Sequence, residues 1–450
     1  MGNLLASLLS SANAMRTFER SLGVVENNVV NASTPGYAKQ RQTLLAQPFN
    51  IETGLPGGVT MGQAQSLRNE YAERTVRQHL GSWGRYSQQA TDLGRVEMLF
   101  DATGENGIPG ALSTFFQSVS SWSVAPNDSV ARQSVIDSAG VLAQSFNQTA
   151  TGLMQASADM DAQATSVVAN INRLAARVLD YNRQVRTNAE SAHDAGLEAS
   201  LHAALEELSE YVDFTALKAD DHSYTLFIGG QTLLLIGDRQ YPVQAAISGQ
   251  QIRILDAQSR DITSQIQGGR LSSIIEVKNT KIPQYMSELD RLAAALADQV
   301  NGVLATGLDP ADQHPLFSYD AGGHQAATLA VTSITAQQLA SAPPAFPGGN
   351  QNILKLAELG HTPVLDGFTF AGFYGSLAGK IGRDYSHAQT NQATQEGLLA
   401  QARSMREEVS GVSLDEEAAR MIEYQRAYQA AARLVSTLND LTDTLLSMLR

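Results

Sequence analysis

Two long apolar stripes, one at each end of the chain, constrain the fold more than any other feature. Near the N-terminus, apolar residues recur at steps of three and four from Leu4 to Val29. The same spacing runs from Met421 to Met448 near the C-terminus. This period is that of one face of an α-helix. The pattern therefore predicts an N-terminal helix of about 27 residues, roughly 40 Å long at 1.5 Å per residue, and a C-terminal helix of roughly 50 Å.

Residues at the inner ends of both stripes indicate where the helices stop and start. The N-terminal helix is predicted to end in the segment 31–36, where Pro35 cannot continue a helix and Gly36 permits a tight turn. Ser413 is a candidate N-cap for a helix over about 414–449, with Glu416 as its capping-box partner.

Stripes of this length suit either of two arrangements. Each helix is buried against its own domain, or each forms a seam that a partner helix covers, from the other terminus or from another chain. The spacing alone does not separate the two. Isolated helices are marginal in water, so we expect both termini to stay mobile until something covers their stripes.

The interior is mostly helical in pattern, with one interruption. Helical periodicity covers about 70–100, 112–208 and 271–306, and a further helix is predicted over 388–409. Candidate helices in the second stretch are Leu112–Val124, Ser129–Gln184 and Leu197–Tyr211. The segment Asp101–Gly110 contains three glycines and Pro109 and predicts a break.

Short apolar segments replace the helical pattern between 212 and 272. Tyr224–Ile228 and Gln231–Ile236 flank Gly229-Gly230 and predict a hairpin, and two more short strands follow. These sixty residues predict a small β-rich domain inserted into a helical body.

A chain of 450 residues is too long for one compact core. We predict a mainly α fold with an inserted β-domain: an elongated helical rod with paired N- and C-terminal helices and a small outer β-domain. The predicted limits are 1–60 with 400–450 for the terminal helices, 61–211 with 273–399 for the rod, and 212–272 for the β-domain.

Composition excludes several classes of partner. The chain has 31 basic and 45 acidic residues, a net charge of -14, so nucleic acid and anionic membranes would repel it at long range. It contains no cysteine, which excludes disulfides, thiolate metal sites and cysteine nucleophiles. No apolar run is long enough for a membrane span. Ala12-Asn13-Ala14 resembles a signal-peptidase site but lacks a preceding basic region, so we expect no cleaved signal.

No catalytic motif emerges. Gly375–Lys380 resembles a phosphate-binding loop, but it is one residue short and Ile381 replaces the hydroxyl residue that would hold magnesium. The densest polar cluster, Asp220-Asp221-His222, precedes a strand and favours a solvated turn over a metal site. We therefore predict that the protein is not an enzyme and has no cofactor or metal.

Two terminal motifs carry a family resemblance. The segment Glu26–Tyr37 (ENNVVNASTPGY) resembles the N-terminal signature of bacterial flagellar axial proteins, and Ser410–Glu417 (SGVSLDEE) with Tyr424–Tyr428 (YQRAY) is similar to their C-terminal motif. In the interior, 112–146 and 301–309 resemble the hook-associated proteins of the hook–filament junction. The region after Leu316-Phe317-Ser318 is shorter than in many of those proteins, which argues against an additional outermost domain.

The resemblance implies a structural subunit of the bacterial flagellum that forms the junction between hook and filament by self-assembly into a helical tube segment. Its implied partners are itself, in a helical assembly of about eleven subunits, the hook protein, a second junction protein (hook-associated protein 3) and an export chaperone at the C-terminal helix. It also implies an extracellular location, reached through the flagellar type III apparatus, and termini that are disordered before assembly and then pair as a coiled coil in the innermost layer.

The candidate assembly residues lie in the two stripes and the two motifs. They are Leu4, Leu8, Met15, Phe18, Leu22, Asn28, Asn31, Pro35, Gly36, Tyr37, Leu414, Tyr424, Tyr428, Val435, Leu438, Leu441 and Leu445. The alternatives are another axial protein, such as a hook protein or a flagellin-like filament subunit, and an enzyme displayed on the flagellum. The second alternative requires a catalytic constellation within 212–272 or 310–385.

Overall fold

A computed structural model describes residues 2–50, 52, 55–100, 107–249, 251–307, 314–346 and 348–448. The α-helices are α1 Gly2–Val30, α2 Glu70–Glu97, α3 Gly107–Val124, α4 Ser129–Thr187, α5 Ala195–Tyr211, α6 Gly269–Glu276, α7 Ile282–Ala305, α8 Gln325–Thr328, α9 Gln351–Leu359, α10 Phe370–Ser410 and α11 Leu414–Met448. The strands are β1 Gln40–Asn50, β2 Leu55–Ser66, β3 Phe214–Lys218, β4 Tyr224–Ile228, β5 Thr232–Ile236, β6 Arg239–Gln240, β7 Gln244–Ser248, β8 Gln251–Leu255, β9 Phe317–Ser318 and β10 Ala330–Val331.

The chain divides into two compact units. Unit 1 comprises Met1–Ser82, Asn170–Pro242 and Gln395–Arg450, and unit 2 comprises Trp83–Ala169 and Val243–Thr394.

Unit 1 contains the paired terminal helices and most of the β-structure. Helix α1 packs against α11 and against the antiparallel hairpin β1–β2, and β3–β4–β5–β6 form an antiparallel sheet in that order. Asn182, fully buried near the end of α4, joins helix to sheet. Its Nδ2 donates to the carbonyls of Tyr224 (2.8 Å) and Gly237 (2.9 Å), while its Oδ1 accepts from Tyr224 N (2.8 Å).

Unit 2 is built around a large apolar core. Its fully buried side chains include Trp122 and Phe115 of α3, Phe146 of α4 and Tyr285 of α7. Phe115 lies 5.9 Å from Phe317, ring centre to ring centre, which places β9 against the same core.

Serine and threonine side chains on several helices bond to their own backbone. In α3, Thr114 Oγ1 donates to Gly110 O (2.9 Å) and Ser118 Oγ to Thr114 O (3.0 Å). Thr437 in α11 does the same to Arg433 O at 3.0 Å. The donors of these hydroxyl groups are therefore satisfied without a partner outside the helix.

The fold is mainly α with small antiparallel sheets and paired terminal helices, as the sequence predicts. The predicted hairpin is present as β4–β5, with Gly229 and Gly230 at φ 55° and 73°. Strands within 212–272 fall in both units, because unit 1 ends this part at Pro242 and unit 2 resumes at Val243. The three domain limits stated above stay a prediction.

Two helix starts and one hairpin differ from the predictions. Helix α3 begins at Gly107, inside the predicted break, because proline is tolerated in a first helical turn and Pro109 lies there; the predicted break over 101–106 lies outside the described residues. Helix α10 begins at Phe370, eighteen residues before the predicted start. The hairpin β1–β2 was not predicted at all.

Candidate assembly surface

The predicted stripes face each other in unit 1. Helix α1 runs toward Asn28 and α11 runs away from Glu417, and these two residues are in hydrogen-bond contact, so the helices pair antiparallel. The stripe residues of α1 are half-buried: Leu4, Leu8, Met15, Phe18 and Leu22. Those of α11 that are also half-buried are Tyr424, Tyr428, Val435 and Leu438.

The remaining apolar candidates of α11 are uncovered. Leu414, Leu441 and Leu445 are 56%, 48% and 40% exposed. Within the predicted stripe, burial therefore ends at Leu438; the next half-buried residue of α11 is Thr442, which the stripe does not include. Further exposed leucines that the stripe does not include lie on both helices: Leu5, Leu9, Leu434 and Leu446.

Asn28 is the centre of a buried polar cluster at the inner end of this pair. Its side chain is fully buried. Nδ2 donates to Gln40 O and to Glu417 Oε2, both at 2.9 Å. Oδ1 accepts from the Tyr37 hydroxyl at 2.8 Å and from Gln40 N at 2.9 Å. Both donors and both acceptor positions of the amide are thus satisfied.

Glu417 brings a charge into this cluster, and Lys39 balances it. Glu417 is fully buried, and its Oε1 lies 3.3 Å from Lys39 Nζ, which also binds Glu416 Oε2 at 2.5 Å. The hydrogen bond and the charge of Lys39 lower the pKa of Glu416. Burial, together with the negative charge of Glu417, raises the pKa of Tyr37 to about 12, so the hydroxyl that donates to Asn28 stays protonated.

The segment after α1 forms a turn that Asn31 and Gly36 fix. Asn31 Nδ2 donates to Asn27 O at 3.0 Å, and Thr34 Oγ1 donates to Asn31 Oδ1 at 3.1 Å. Gly36 has φ 75°, and a Cβ there would overlap the carbonyl oxygen of Ala199 in α5. Pro35 is exposed, and α1 already ends five residues before it, so proline is not the residue at which the helix stops.

A network of ion pairs links three distant segments of unit 1 beneath this turn. Arg68 binds Glu73, and its Nη2 donates to Gly36 O at 2.6 Å. Arg406 lies 3.3 Å from Glu73 and 2.6 Å from Glu206. Burial raises the pKa of Glu206, but the hydrogen bonds and charges of Arg406 and Arg403 outweigh it, and the net shift is downward.

The link between α10 and α11 joins the same region. Lys39 N donates to Ser410 O at 2.9 Å, and Ser410 Oγ accepts from Asn69 N at 3.1 Å and donates to Leu67 O at 3.0 Å. Ser413 Oγ accepts from Glu416 N at 3.5 Å, as an N-cap does. The two terminal motifs of the sequence therefore meet in space.

Sequence reasoning missed Lys39 and Arg68, and it did not give the contacts of Ser410 and Glu417, which lie in the C-terminal motif. Motif spacing cannot reveal a contact across 389 positions. One signal was available: three acidic residues in the first turn of the predicted helix, Asp415, Glu416 and Glu417, are opposite in charge to Lys39 beside the N-terminal motif.

Within the described ranges, no group of three His, Cys, Asp or Glu residues is arranged to hold a metal ion. None of the described helices combines the length and the apolar character that crossing a bilayer requires. The loop-like motif Gly375–Lys380 lies inside α10, where the backbone N–H groups bond along the helix instead of facing a phosphate.

Comparison with known proteins identifies the family. The protein-family model of the flagellar hook-associated protein FlgK helical domain matches residues 93–317. The model of the flagellar basal body rod FlgEFG protein C-terminal region matches residues 404–448.

Curated relatives span the whole chain. The flagellar hook-associated protein 1 of Bacillus subtilis is 22% identical, covering 99% of both chains, and that of Salmonella typhimurium is 23% identical, covering 100% of both. The flagellar hook junction protein FlgK from Burkholderia pseudomallei has a similar fold, with a TM-score of 0.66, 14% identity and coverage of 74% of this chain and 100% of that one. The chain belongs to the FlgK family of flagellar hook-associated proteins, structural components of the bacterial flagellum.

Proposed function

We propose that this chain is a subunit of the junction between hook and filament, and that it assembles with copies of itself into a helical tube segment. The observation that carries the proposal is the uncovered apolar surface on the paired terminal helices. Leu5 and Leu9 of α1 are 62% and 57% exposed, and Leu441 and Leu446 of α11 are 48% and 50% exposed. Covering side chains of this kind stabilises an interface by about 1 kcal/mol each.

A tube follows from the kind of contact this surface can make. Helix α11 packs against α1 within the chain, where Leu438 is half-buried, whereas Leu434, Leu441 and Leu446 of the same helix are exposed. A neighbouring copy that uses a different patch of its own surface makes a heterologous contact, and such contacts that do not close generate helical assemblies. The role is structural, not catalytic, and the predicted domain limits remain part of this proposal.

A subunit of the junction lies between the hook and the filament of the flagellum, and this position indicates its partners. We assign the hook protein and hook-associated protein 3 as the neighbours on either side, and a dedicated chaperone as the cover for α11 before export through the flagellar type III apparatus. The exposed leucines of α11 support a chaperone, because a bare apolar helix surface of this size invites association.

The test is filament assembly in a deletion strain. Cells without the chain should carry hooks that lack filaments, and the parent chain should restore them. A chain with Leu441→Asp and Leu446→Asp should leave at least ten times fewer filaments by electron microscopy. Asn439→Asp is the matched control, because it adds a negative charge at an exposed position of the same helix without removing an apolar side chain. Filament numbers equal to the parent's in the double variant would contradict the proposal.

The chaperone is tested separately. Leu445→Asp should lower the affinity for the cognate export chaperone at least tenfold in isothermal titration, and Leu438→Asp should act similarly because both lie on the predicted stripe. Asn439→Asp should bind as the parent does. Unchanged affinity in both leucine variants would show that another surface binds the chaperone.

The alternative of a hook protein or a flagellin-like subunit predicts a different phenotype. Loss of a hook protein removes the hook, and loss of a filament subunit leaves the junction in place. The match of the FlgK helical domain over 93–317 favours the junction.

A further inference from the structure

We infer that the contact between Asn28 and Glu417 determines the register in which α1 and α11 pair. The inference concerns the chain itself and does not depend on which tube the subunit joins. Both side chains are fully buried, and the Asn28 amide donates to Glu417 Oε2 at 2.9 Å. A buried amide and a buried carboxylate in an apolar seam reduce stability unless they are paired, but a single polar residue in such a seam specifies register.

The apolar stripes alone do not define one register. Half-buried side chains recur every three or four residues along both helices. A slide of one helix by seven residues therefore places apolar residues against apolar residues again, because seven residues are almost two turns. Leu438 and Leu445, for example, occupy equivalent positions one heptad apart.

The polar cluster penalises the slipped arrangement. Because the helices pair antiparallel, a residue a given number of positions before Asn28 faces the residue the same number of positions after Glu417. This places Leu8 opposite the residues near Leu438. A slide of one heptad brings Tyr424 opposite Asn28 and moves Glu417 beyond the end of α1. The hydrogen bond between the Asn28 amide and the Glu417 carboxylate is then lost, and leaving a buried polar group without its partner is unfavourable.

Residues around Asn28 hold it in place but do not span the two helices. Tyr37 and Gln40 bond to Asn28 from the chain that follows α1. Lys39 balances the charge of Glu417 at 3.3 Å. Only the Asn28–Glu417 hydrogen bond joins α1 directly to α11 in this cluster, among the described contacts.

Because the chain contains no cysteine, register can be read from pairs of introduced thiols in the full-length protein. One pair, Leu8→Cys with Leu438→Cys, reports the register described above. The other, Leu8→Cys with Leu445→Cys, reports the heptad slip. Equilibration of each with a glutathione redox buffer gives the effective concentration of the two thiols. The first pair should exceed the second at least tenfold.

Asn28→Leu should remove most of this preference. The effective concentration of the slipped pair should rise, so that the ratio of the first pair's effective concentration to that of the second falls at least fivefold. Glu417→Leu should do the same, whereas Glu417→Gln keeps an acceptor oxygen and should keep the preference. Asn13→Leu is the matched control, since Asn13 is an exposed asparagine of α1 whose side chain makes no hydrogen bond among the described contacts.

Three outcomes would overturn the inference. One is a ratio near one in the parent chain, which would mean that no unique register exists. Another is a parent-like ratio in Asn28→Leu. The third is a fall in both effective concentrations in Asn28→Leu, because that result would mean the helices separate and the contact supports pairing itself and not the choice of register.

Discussion

Helices α7 and α11 are both amphipathic, but they bury their apolar residues very differently. The 24-residue helix α7 buries ten side chains, among them Leu289, Leu292 and Leu296. The 35-residue helix α11 buries two, Glu417 and Ala431. Helix α7 is therefore stabilised within its own unit, whereas most of the apolar surface of α11 is half-covered or bare. An apolar stripe in a sequence predicts a helix, but it does not indicate whether the apolar side chains are buried by the same chain or by a partner.

The largest expected difference between these helices is in stability. Leu292→Ala in α7 should lower the free energy of unfolding of unit 2 by about 2–5 kcal/mol, because it leaves a cavity in a close-packed core. Leu434→Ala in α11 removes the same atoms from a side chain that is 57% exposed and should change stability by less than about 0.5 kcal/mol. Both tryptophans, Trp83 and Trp122, lie in unit 2, so urea unfolding followed by tryptophan fluorescence measures the first effect directly.

Unfolding followed by circular dichroism measures the effect of the substitution in α11. Equal losses in the free energy of unfolding for the two variants would contradict the proposed difference between α7 and α11. That result would mean that α11 is as firmly held by its own chain as α7 is.

A smaller effect is expected at the turn that attaches α1 to the rest of unit 1. Gly36→Ala should destabilise unit 1 by about 2 kcal/mol, because the residue has φ 75° and an added Cβ would overlap Ala199 O. Gly23→Ala, within α1, places a Cβ in open space and should stabilise the helix by about 0.5–1 kcal/mol. Hydrogen exchange of the α1 amides measures both. A protected α1 in Gly36→Ala would show that the terminal pair holds itself together without this attachment.

The smallest effect concerns pH and the body of unit 1. His202 of α5 is buried, and burial together with the positive charges of Arg68, Arg77, Lys218 and Arg406 places its pKa well below the usual value. Below the unfolded pKa of about 6.5 the unfolded chain takes up a proton that the folded chain does not. The free energy of unfolding should therefore fall with decreasing pH, by at most about 1.4 kcal/mol per pH unit.

His202→Gln should flatten this dependence between pH 7.5 and 5.5 in urea unfolding followed by circular dichroism. His193→Gln, at an exposed position, should retain the parent's slope. The same slope in the parent and in His202→Gln would assign the pH dependence to other groups.

The features that could be predicted from the sequence are those with a local cause. Helices α1 and α11 follow from their periodicity, and the β4–β5 hairpin follows from Gly229-Gly230 between two apolar segments. Hairpin β1–β2 escaped prediction because a register shift between Gln42 and Leu44 interrupts its alternation.

Features set by tertiary contacts could not be predicted in this way. The first turns of α10 contain four glycines, which disfavour a helix, but the burial of Phe370, Phe373, Tyr374 and Leu377 outweighs that preference. The Asn28–Glu417 contact joins residues 389 positions apart. Both motifs are visible in the sequence, but their meeting is a property of the fold.

The hydroxyl groups of α3 and α11 that bond to the backbone of their own helix affect the cost of removing water from an interface between neighbouring subunits. Only 17% of the residues are charged, and exposed hydroxyl residues such as Thr114 of α3 and Thr437 of α11 occur on the helices. If a neighbouring copy covers Thr437, its hydroxyl hydrogen keeps the bond to Arg433 O, so only the bonds that the hydroxyl oxygen accepts from water are lost. A lysine at that position would lose its hydration shell and need a counter-charge. In the assembly that we propose, small hydroxyl residues would thus allow copies of the chain to pack against one another at a lower dehydration cost than charged residues.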